Sequence, residues 1–216
     1  MHPLNLDQQD DIFDPLMAKP VTIIGVGSVG SWLALNMASV GCTDITVWDA
    51  DDVESHNVPM SAYGRRDVGK LKVRALAELV ELKTGVRIKT VERMYAGEPL
   101  IGSVVSCVDW MDERRKVWDR VRDNPNVDFF ADTRVSEEFV AVYGLDPCDP
   151  DSMRHYDLLM YPSSEALRPM CGLHGIIYVA QHAAGAACVC LTSAWSGGRK
   201  ERHYRMRMGE LMQVIP

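Results

Sequence analysis

The sequence has little positive charge, and this absence removes one class of function. Its 23 Lys and Arg residues are outnumbered by 30 Asp and Glu residues, which gives a formal net charge of −7. A surface that binds nucleic acid is normally basic, so we expect no nucleic-acid partner. An acidic chain can still bind ATP, because local backbone amides and a few cations contact the phosphates.

Paired cysteine motifs are also absent. The six cysteines form no C-x-x-C pair: Cys42, Cys107, Cys148, Cys171, Cys188 and Cys190. Such pairs are the usual ligands of structural zinc, so we predict no structural zinc. Thiols scattered through apolar segments suit a reducing compartment and favour a cytoplasmic location.

Signals for export and for membrane insertion are weak. Residues 1–14 are acidic and lack the basic region that starts a secretory signal, so we expect none. Residues 176–195 are long and apolar enough to span a bilayer, but polar residues interrupt them at Gln181, His182, Thr192 and Ser193. The interruptions favour a buried helix, and we expect no membrane association.

The chain does contain an alternation of short β-branched runs and segments with helical periodicity. Strands are predicted at residues 21–25, 44–49, 86–93, 102–109 and 127–133, and helices at residues 28–40, 68–83 and 111–122. This alternation predicts an α/β fold with a doubly wound, mostly parallel sheet of the Rossmann-like type.

After residue 134 the pattern changes. The later elements are an antiparallel-type strand at 138–145, a Pro- and Asp-rich connection at 146–164, a long buried helix at 172–195 and a terminal strand at 203–208. They predict an antiparallel C-terminal extension of the sheet. The sequence has no internal repeat and no convincing linker, so residues 1–216 are interpreted as one domain.

A glycine-rich turn follows the first predicted strand. Gly25, Gly27 and Gly30 form G-x-G-x-x-G, with Ser28 at the start of the helix. The glycines allow a tight turn and a close approach of a diphosphate, and free amides at the helix N-terminus face the anion. Asp49, at the tip of the second strand, has the position of an acid that binds ribose. The alternative is a turn that binds nothing, with Asp49 as a solvated acid.

The segment after Asp49 argues against a dehydrogenase. A dehydrogenase normally enters a helix directly after this strand, whereas here about twenty residues of polar loop intervene. Loops of that length inside a compact domain are usually functional. The loop carries several polar and cationic side chains: Asn57, Arg65, Arg66, Lys70 and Lys72. A nicotinamide-dependent oxidoreductase is therefore the least favoured alternative.

Four motifs in this order resemble the ThiF/MoeB family of ubiquitin-activating-like adenylyltransferases. The family combines the glycine loop with D-x-D-x-V-x-x-x-N, then D-x-G-x-x-K at a helix start and an acid that closes a later strand. The corresponding residues here are Asp49, Asp51, Val53 and Asn57, then Asp67, Gly69 and Lys72, then Asp109. The resemblance is close over residues 19–133 and looser beyond them.

The resemblance implies an adenylyltransferase that uses ATP and Mg²⁺ to activate a carboxylate, usually the Gly-Gly tail of a small ubiquitin-like or sulfur-carrier protein. It implies that Asp49 holds the ribose, with Asp51 beside it as a further nucleotide-binding residue, and that Asn57 contacts the sugar or a phosphate. It further implies that Lys72 stabilises charge on the triphosphate and that Asp109 binds Mg²⁺. The alternatives are that Lys72 is a plain surface lysine and that Asp109 only caps a helix.

Two departures from the family concern phosphate contacts. Met60 stands where the family has an arginine, and residues 1–19 contain no arginine. We hypothesise, from proximity alone, that Arg65 or Arg66 substitutes as a catalytic cation. The departures also keep open a second hypothesis, a catalytically weak or inactive nucleotide-binding partner protein of the same fold.

Two further expectations concern the C-terminal half. Some members of the family form a thioester or persulfide on a cysteine here, and Cys171 is the better candidate, although a buried structural thiol is favoured over it. Cys148 is flanked by acids, which raise the pKa of a thiol. The resemblance also implies a homodimer, for which residues 172–195 are the expected interface.

Overall fold

A computed structural model describes residues 4–9, 11–136, 139–162, 164 and 176–207. The strands are β1 (Val21–Ile24), β2 (Ile45–Trp48), β3 (Lys89–Val91), β4 (Gly102–Ser106), β5 (Val127–Val135), β6 (Phe139–Leu145) and β7 (Arg202–Arg207). The α-helices are α1 (Ser28–Ser39), α2 (Lys72–Thr84), α3 (Met111–Val121), α4 (Pro150–Asp157) and α5 (Ile177–Trp195).

The strands form one sheet in the order β3-β2-β1-β4-β5-β6-β7. Strands β1 to β5 pair parallel with one another, while β6 pairs antiparallel with both β5 and β7. The predicted fold class, a doubly wound and mostly parallel sheet with an antiparallel C-terminal extension, is confirmed. Strand β1 has β2 on one side and β4 on the other. The chain therefore adds β2 and β3 on one side of β1 and then continues with β4 on the other side. Ligands of such sheets bind at the carboxyl ends of the strands where this change of side occurs.

Helices cover both faces of the sheet. One apolar core lies between the sheet and helices α1, α2 and α5, and the other lies between the sheet and helices α3 and α4. Strand β6 contributes side chains to both cores, because successive side chains of a strand point to opposite faces of the sheet. Val140 and Val142 belong to the first core, whereas Ala141, Tyr143 and Leu145 belong to the second.

Helix α2 begins four residues later than the periodicity predicts, at Lys72. Gly69 has a φ of +88°, which a helix does not allow, and its amide donates to the carbonyl of Val53. The chain therefore stays in the loop until Leu71. The predicted long loop is present, with a single 3-10 turn at Arg65–Asp67.

Helix α4 lies within the segment that the sequence analysis assigned to an irregular connection. Asp149 precedes it and accepts a hydrogen bond from the amide of Ser152, and Pro150 occupies its first turn. Both are common signals of a helix start. The prediction of a plain connection was wrong here, because a helix of two turns is too short to show clear periodicity.

Several predicted boundaries differ from the structure or lie beyond it. Strand β3 is only three residues long. Residues 138 and 208, at the ends of two predicted strands, lie outside the described residues, as do residues 172–175 of the predicted helix. Helix α5 starts at Ile177 and buries only one face, since Tyr178 and Val189 are exposed.

Helix α5 is long and apolar enough to cross a membrane by length and composition alone. In the described part of the chain it is the one helix that passes this test. It packs against α1, β5 and β6, as the core helix of an α/β fold does.

Candidate functional site

A cleft of about 210 Å³ opens at the carboxyl ends of β1, β2 and β4. Six of the residues that the sequence analysis selected line it: Gly25, Gly27, Asp49, Asp51, Lys72 and Asp109. A larger groove of about 690 Å³ lies between α5 and β7, where it is lined mainly by apolar side chains. We place the site in the smaller cleft, because the convergence of polar groups marks a site better than volume does.

The glycine turn has the close contacts that glycines permit. Gly25 has a φ of +86°, and a Cβ atom there would lie 2.8 Å from the carbonyl oxygen of Cys107. A Cβ atom on Gly30 would lie 2.0 Å from the carbonyl oxygen of Gly25. At Gly27 a Cβ atom would meet nothing within 4 Å, so this glycine faces open space. Gly25 and Gly30 therefore close the turn, whereas Gly27 leaves room for a ligand.

Asp49 holds the loop around this turn. Its carboxylate accepts one hydrogen bond from the amide of Val26 and another from the amide of Asp51, each 2.9 Å long. Asp49 is 9% exposed, so these bonds replace most of the water that the carboxylate would otherwise bind. Each carboxylate oxygen can accept a further bond, which leaves acceptors for ribose hydroxyls.

Lys72 is the first residue of α2, and its ammonium group lies 2.8 Å from Oδ2 of Asp51. A lysine at a helix N-terminus is unfavourable by itself, because the positive end of the helix dipole lies there. Here the side chain is only 11% exposed and extends into the cleft, while Asp51 is 65% exposed. The ammonium group of Lys72 is thus largely shielded from bulk water and faces the cleft.

Asp109 follows β4 on the opposite wall of the cleft. Water reaches its carboxylate, yet the surrounding protein atoms displace enough solvent to raise its pKa. Lys72 and Arg114 oppose this shift, while Asp49 and Asp51 add to it. The N-cap residue of α3 is Trp110, one residue later, so capping of that helix does not account for Asp109.

A buried ion network underlies Asp109 and was not among the predicted site residues. Arg114 donates through Nε to Asp132, at 2.5 Å, and through Nη2 to the carbonyl of Val108, at 2.7 Å. Arg134 donates to the other oxygen of Asp132 at 2.7 Å. The bond to Val108 fixes the backbone directly before Asp109. The signal was Asp132, an acid directly after the apolar run at residues 129–131 of β5, since a buried carboxylate requires a cation or hydrogen-bond donors.

Aromatic side chains form the other missed part of the cleft. Trp48, Tyr95 and Trp110 line it, and Trp48 packs edge-on to Tyr95 with ring centroids 5.5 Å apart. Trp110 is 59% exposed at the rim. Strand-end aromatic residues of this kind provide flat surfaces against which a base can stack. Their positions depend on which strands are neighbours, so sequence spacing alone did not reveal them.

Besides Gly30, which closes the turn, four predicted site residues lie outside the described lining of the cleft. Ser28 begins α1, and the Oδ1 atom of Asn57 accepts a hydrogen bond from the amide of Glu54 at 2.8 Å. Arg65 and Arg66 are exposed in the 3-10 turn of the loop. The roles suggested for these four residues stay predictions.

Neither Cys107 nor Cys148 has the lowered pKa that a nucleophilic thiol needs. Cys107 lines the cleft, but burial raises its pKa to about 12, so it stays protonated at neutral pH. The pKa of Cys148 is also raised, first by desolvation and then by Asp146 and Asp123. Cys171 lies outside the described residues.

Solved structures with the same fold are similar to this chain at low sequence identity. A crystal structure of PaaA has a TM-score of 0.69 and 16% identity, and the match covers 91% of this chain and 71% of that one. For Escherichia coli MccB with AMPCPP and MccA, the TM-score is 0.65, the identity 14% and the coverage 90% and 65%. This chain therefore spans about two thirds of MccB.

A third structure is similar over a larger share of its own length. Escherichia coli tRNA N6-threonylcarbamoyladenosine dehydratase, TcdA, has a TM-score of 0.64 and 16% identity, and the match covers 85% of this chain and 88% of that one. A search of curated proteins by sequence found no match. The sequence matches the ThiF family over residues 5–213. Because this match covers nearly the entire sequence and the cleft carries the expected motifs, the chain belongs to the ThiF family.

Proposed function

We propose that this protein is an adenylyltransferase that transfers AMP from ATP to a carboxylate. Membership of the ThiF family supports ATP-dependent carboxylate adenylylation in general, and E. coli MccB of the same fold has been crystallised with ATP. The observation that carries the proposal is the convergence of Lys72, Asp51 and Asp109 around the open turn at Gly27.

The cleft suits a nucleotide whose phosphates lie over this turn. Amides at the start of α1 and the ammonium group of Lys72 would face the phosphates, and Asp49 would accept hydrogen bonds from the ribose. Lys72 would exchange its bond to Asp51 for one to a phosphate. Because Asp51 is exposed, its carboxylate can return to water when that bond breaks.

In the reaction a carboxylate oxygen of the substrate attacks the α-phosphorus of ATP. A new P–O bond forms, the bond between the α-phosphorus and the bridging oxygen breaks, and pyrophosphate leaves with that electron pair. Negative charge accumulates on the α-phosphate, and Lys72 stabilises it. No proton needs to be removed from the substrate, because the attacking carboxylate is already ionised at neutral pH.

The residues present fit a magnesium ion near Asp109. Mg²⁺ is usually bound by one or two carboxylates together with phosphate oxygens, and Asp109 is a water-accessible carboxylate within the same cleft as Asp51. When bound, such an ion would neutralise phosphate charge and orient pyrophosphate for departure. Arg114 holds the backbone before Asp109 and thereby positions its carboxylate.

The finer proposal is that the carboxylate belongs to the C-terminal Gly-Gly tail of a small ubiquitin-like or sulfur-carrier protein, and that the enzyme is a cytoplasmic homodimer. The order of motifs supports the substrate, and the exposed apolar residues on α5 support self-association. ATP–pyrophosphate exchange, measured with and without a candidate carrier, tests the substrate. Exchange that does not depend on any Gly-Gly carrier would contradict the finer proposal.

A second candidate function is a nucleotide-binding partner protein with little or no turnover. It is favoured by Met60 in place of an arginine and by the exposed positions of Arg65 and Arg66 away from the cleft. Both functions predict that ATP raises the melting temperature, since a ligand of the native state stabilises it. Only the first predicts exchange. If NAD stabilises the protein and ATP does not, the nucleotide assignment is wrong.

A further inference from the structure

A second cluster of polar side chains lies on the far edge of the sheet, near α4 and β7. His155 belongs to α4, Glu201 directly precedes β7, and His203 is the second residue of β7. Their ligand atoms all lie within 4.8 Å of one another. None of these residues contributes to the nucleotide cleft. The cluster therefore requires an explanation of its own.

The spacing of the cluster matches the coordination sphere of a small divalent ion. Zn²⁺ binds His nitrogen and carboxylate oxygen at about 2.0–2.1 Å, which places two ligands of a tetrahedron roughly 3.3 Å apart. The Nδ1 atom of His155 lies 3.4 Å from Oε1 of Glu201. The Nε2 atom of His203 lies 3.9 Å from that oxygen. The first distance is close to the required length, the second exceeds it by about 0.6 Å, and the two histidine nitrogens lie within 4.8 Å of each other.

The surrounding contacts hold the three ligands in this arrangement. Tyr143 pairs with His203 across the two strands, and their rings meet edge-on with centroids 5.4 Å apart. The imidazoles of His155 and His203 lie 4.6 Å apart between centroids. Arg199 lies 3.7 Å from Oε2 of Glu201, while both histidines approach Oε1.

We propose that His155, Glu201 and His203 form a binding site for a divalent transition-metal ion of the zinc type. Two imidazoles and one carboxylate are a common ligand set for such ions, with a fourth position open to water. The bound ion would fasten the edge strand β7 to helix α4. This inference departs from the expectation of no structural zinc, because the cysteine spacing carries no information about ligands 46 residues apart.

The site is independent of the proposed adenylylation, and its test uses no nucleotide. We would strip the full-length protein, prepared without a polyhistidine tag, with a chelator and titrate it with ZnCl₂ by calorimetry. We expect one zinc per chain. The substitutions His155→Ala, Glu201→Gln and His203→Ala should each weaken binding by on the order of 100-fold or more, since even residues behind the ligands contribute 10–100-fold.

The matched control is His56→Ala. His56 lies 3.5 Å from Glu54 and is about as exposed as His155, but no third ligand joins that pair among the described residues. Zinc affinity should not change in this variant. Each variant is first melted without metal, and added zinc should raise the melting temperature of the wild type and of His56→Ala only.

Cobalt distinguishes this site from the cysteines. Co²⁺ bound to the histidines and Glu201 should give visible absorption bands without a thiolate-to-cobalt charge-transfer band. The proposal is overturned if no stoichiometric zinc binds, if the three ligand variants keep the wild-type affinity, or if a thiolate band accompanies binding. The glutamine side chain has nearly the same size as glutamate, so Glu201→Gln should fold normally. This variant therefore still tests the site if a histidine variant folds poorly.

Discussion

At the scale of single residues, the cleft places charges where folding alone would not favour them. Lys72 stands at the N-terminus of a helix, and Asp109 lies in a cleft that also holds the carboxylates of Asp49, Asp51 and Glu113. Each position is unfavourable in isolation, by roughly 0.3–1 kcal/mol for a cation at a helix start. A bound ATP with its metal ion would compensate both, because it supplies negative phosphates to Lys72 and a cation to Asp109.

The lysine provides the first prediction. Lys72→Gln should lower ATP–pyrophosphate exchange by on the order of 100-fold, because one charge-assisted contact to the transition state is lost. Lys70→Gln is the control, since Lys70 is paired with Asp67 and Glu78. Its exchange rate should stay within about twofold of the wild type, because surface ion pairs contribute little. Equal losses in both variants would remove Lys72 from the mechanism.

The acid provides the second prediction. Asp109→Asn removes the proposed metal ligand and should raise the Mg²⁺ concentration needed for half-maximal exchange by at least about tenfold. Asp119→Asn, an exposed acid on α3, is the control and should leave that concentration unchanged. The measurement is an exchange assay at graded Mg²⁺ concentrations. An unchanged Mg²⁺ requirement in Asp109→Asn would contradict the metal assignment.

Some residues of the cleft could be predicted from the sequence and others could not, for a physical reason. Gly27, Asp49 and Lys72 belong to motifs in which the spacing reflects a strand end or a helix start, so their positions were predictable. Arg114 and Asp132 are eighteen residues apart on different elements. Their contact depends on how α3 packs on β5, which sequence spacing does not encode. The same holds for Trp48 and Tyr95.

At the scale of elements, the turn between β1 and α1 offers two glycines with different roles. Gly30→Ala places a Cβ atom 2.0 Å from the carbonyl oxygen of Gly25 and should destabilise the fold by several kcal/mol, as overpacking with backbone does. Gly27→Ala meets no protein atom, although the ψ of −136° at Gly27 is one that residues with a Cβ atom rarely adopt. It should therefore lower the free energy of unfolding by about 1–3 kcal/mol, less than Gly30→Ala does.

Gly27→Ala should also weaken ATP binding by at least about tenfold, because its methyl group occupies the space of the diphosphate. Urea unfolding and ATP titration of both variants separate the two roles. If Gly27→Ala binds ATP as tightly as the wild type, the phosphates do not lie over this turn.

The ion network between α3 and β5 gives the fourth prediction. Asp132 is fully buried between Arg114 and Arg134. Asp132→Asn leaves two cations without their counter-charge and should lower the free energy of unfolding by about 3–5 kcal/mol. Asp128→Asn is the control, since its pair with Lys19 is partly exposed, and it should change stability by about 1 kcal/mol or less. Urea denaturation measures both, and equal effects would contradict the argument.

Local sequence signals were sufficient to predict some strands and helices but not others. The strands of the parallel region were predictable because runs buried on both faces consist of apolar β-branched residues. Helix α4 was missed, although Asp149 and Pro150 mark its start. A short helix that packs only one side against β6 carries few apolar positions, so capping residues rather than periodicity identify it.

At the scale of the whole molecule, one surface remains exposed that is more apolar than a solvated face requires. Tyr178 and Val189 on α5 are 48% and 59% exposed and line the groove of about 690 Å³. The homodimer proposal assigns this surface to the interface. We expect a solution mass near twice 24.1 kDa. Val189→Asp should reduce it to that of a monomer, since an unpaired charge would be buried at the contact.

Leu82→Asp is the control for this fifth prediction. Leu82 is 86% exposed on α2, on a surface that the dimer proposal does not use. Light scattering after size-exclusion chromatography should give the dimer mass for this variant. A monomeric wild type, or dissociation in both variants, would exclude α5 as the interface.

The two hydrogen bonds of Asp49 have a consequence for how the nucleotide arrives. They bind the amides of Val26 and Asp51 to a side chain of the protein itself, so folding of the chain sets the shape of this turn. The backbone of the turn loses its conformational entropy when the chain folds. Binding of ATP therefore does not have to order it, and the affinity is not reduced by that cost. Association of ATP should accordingly proceed in a single kinetic phase, at a rate proportional to ATP concentration with no slow rearrangement.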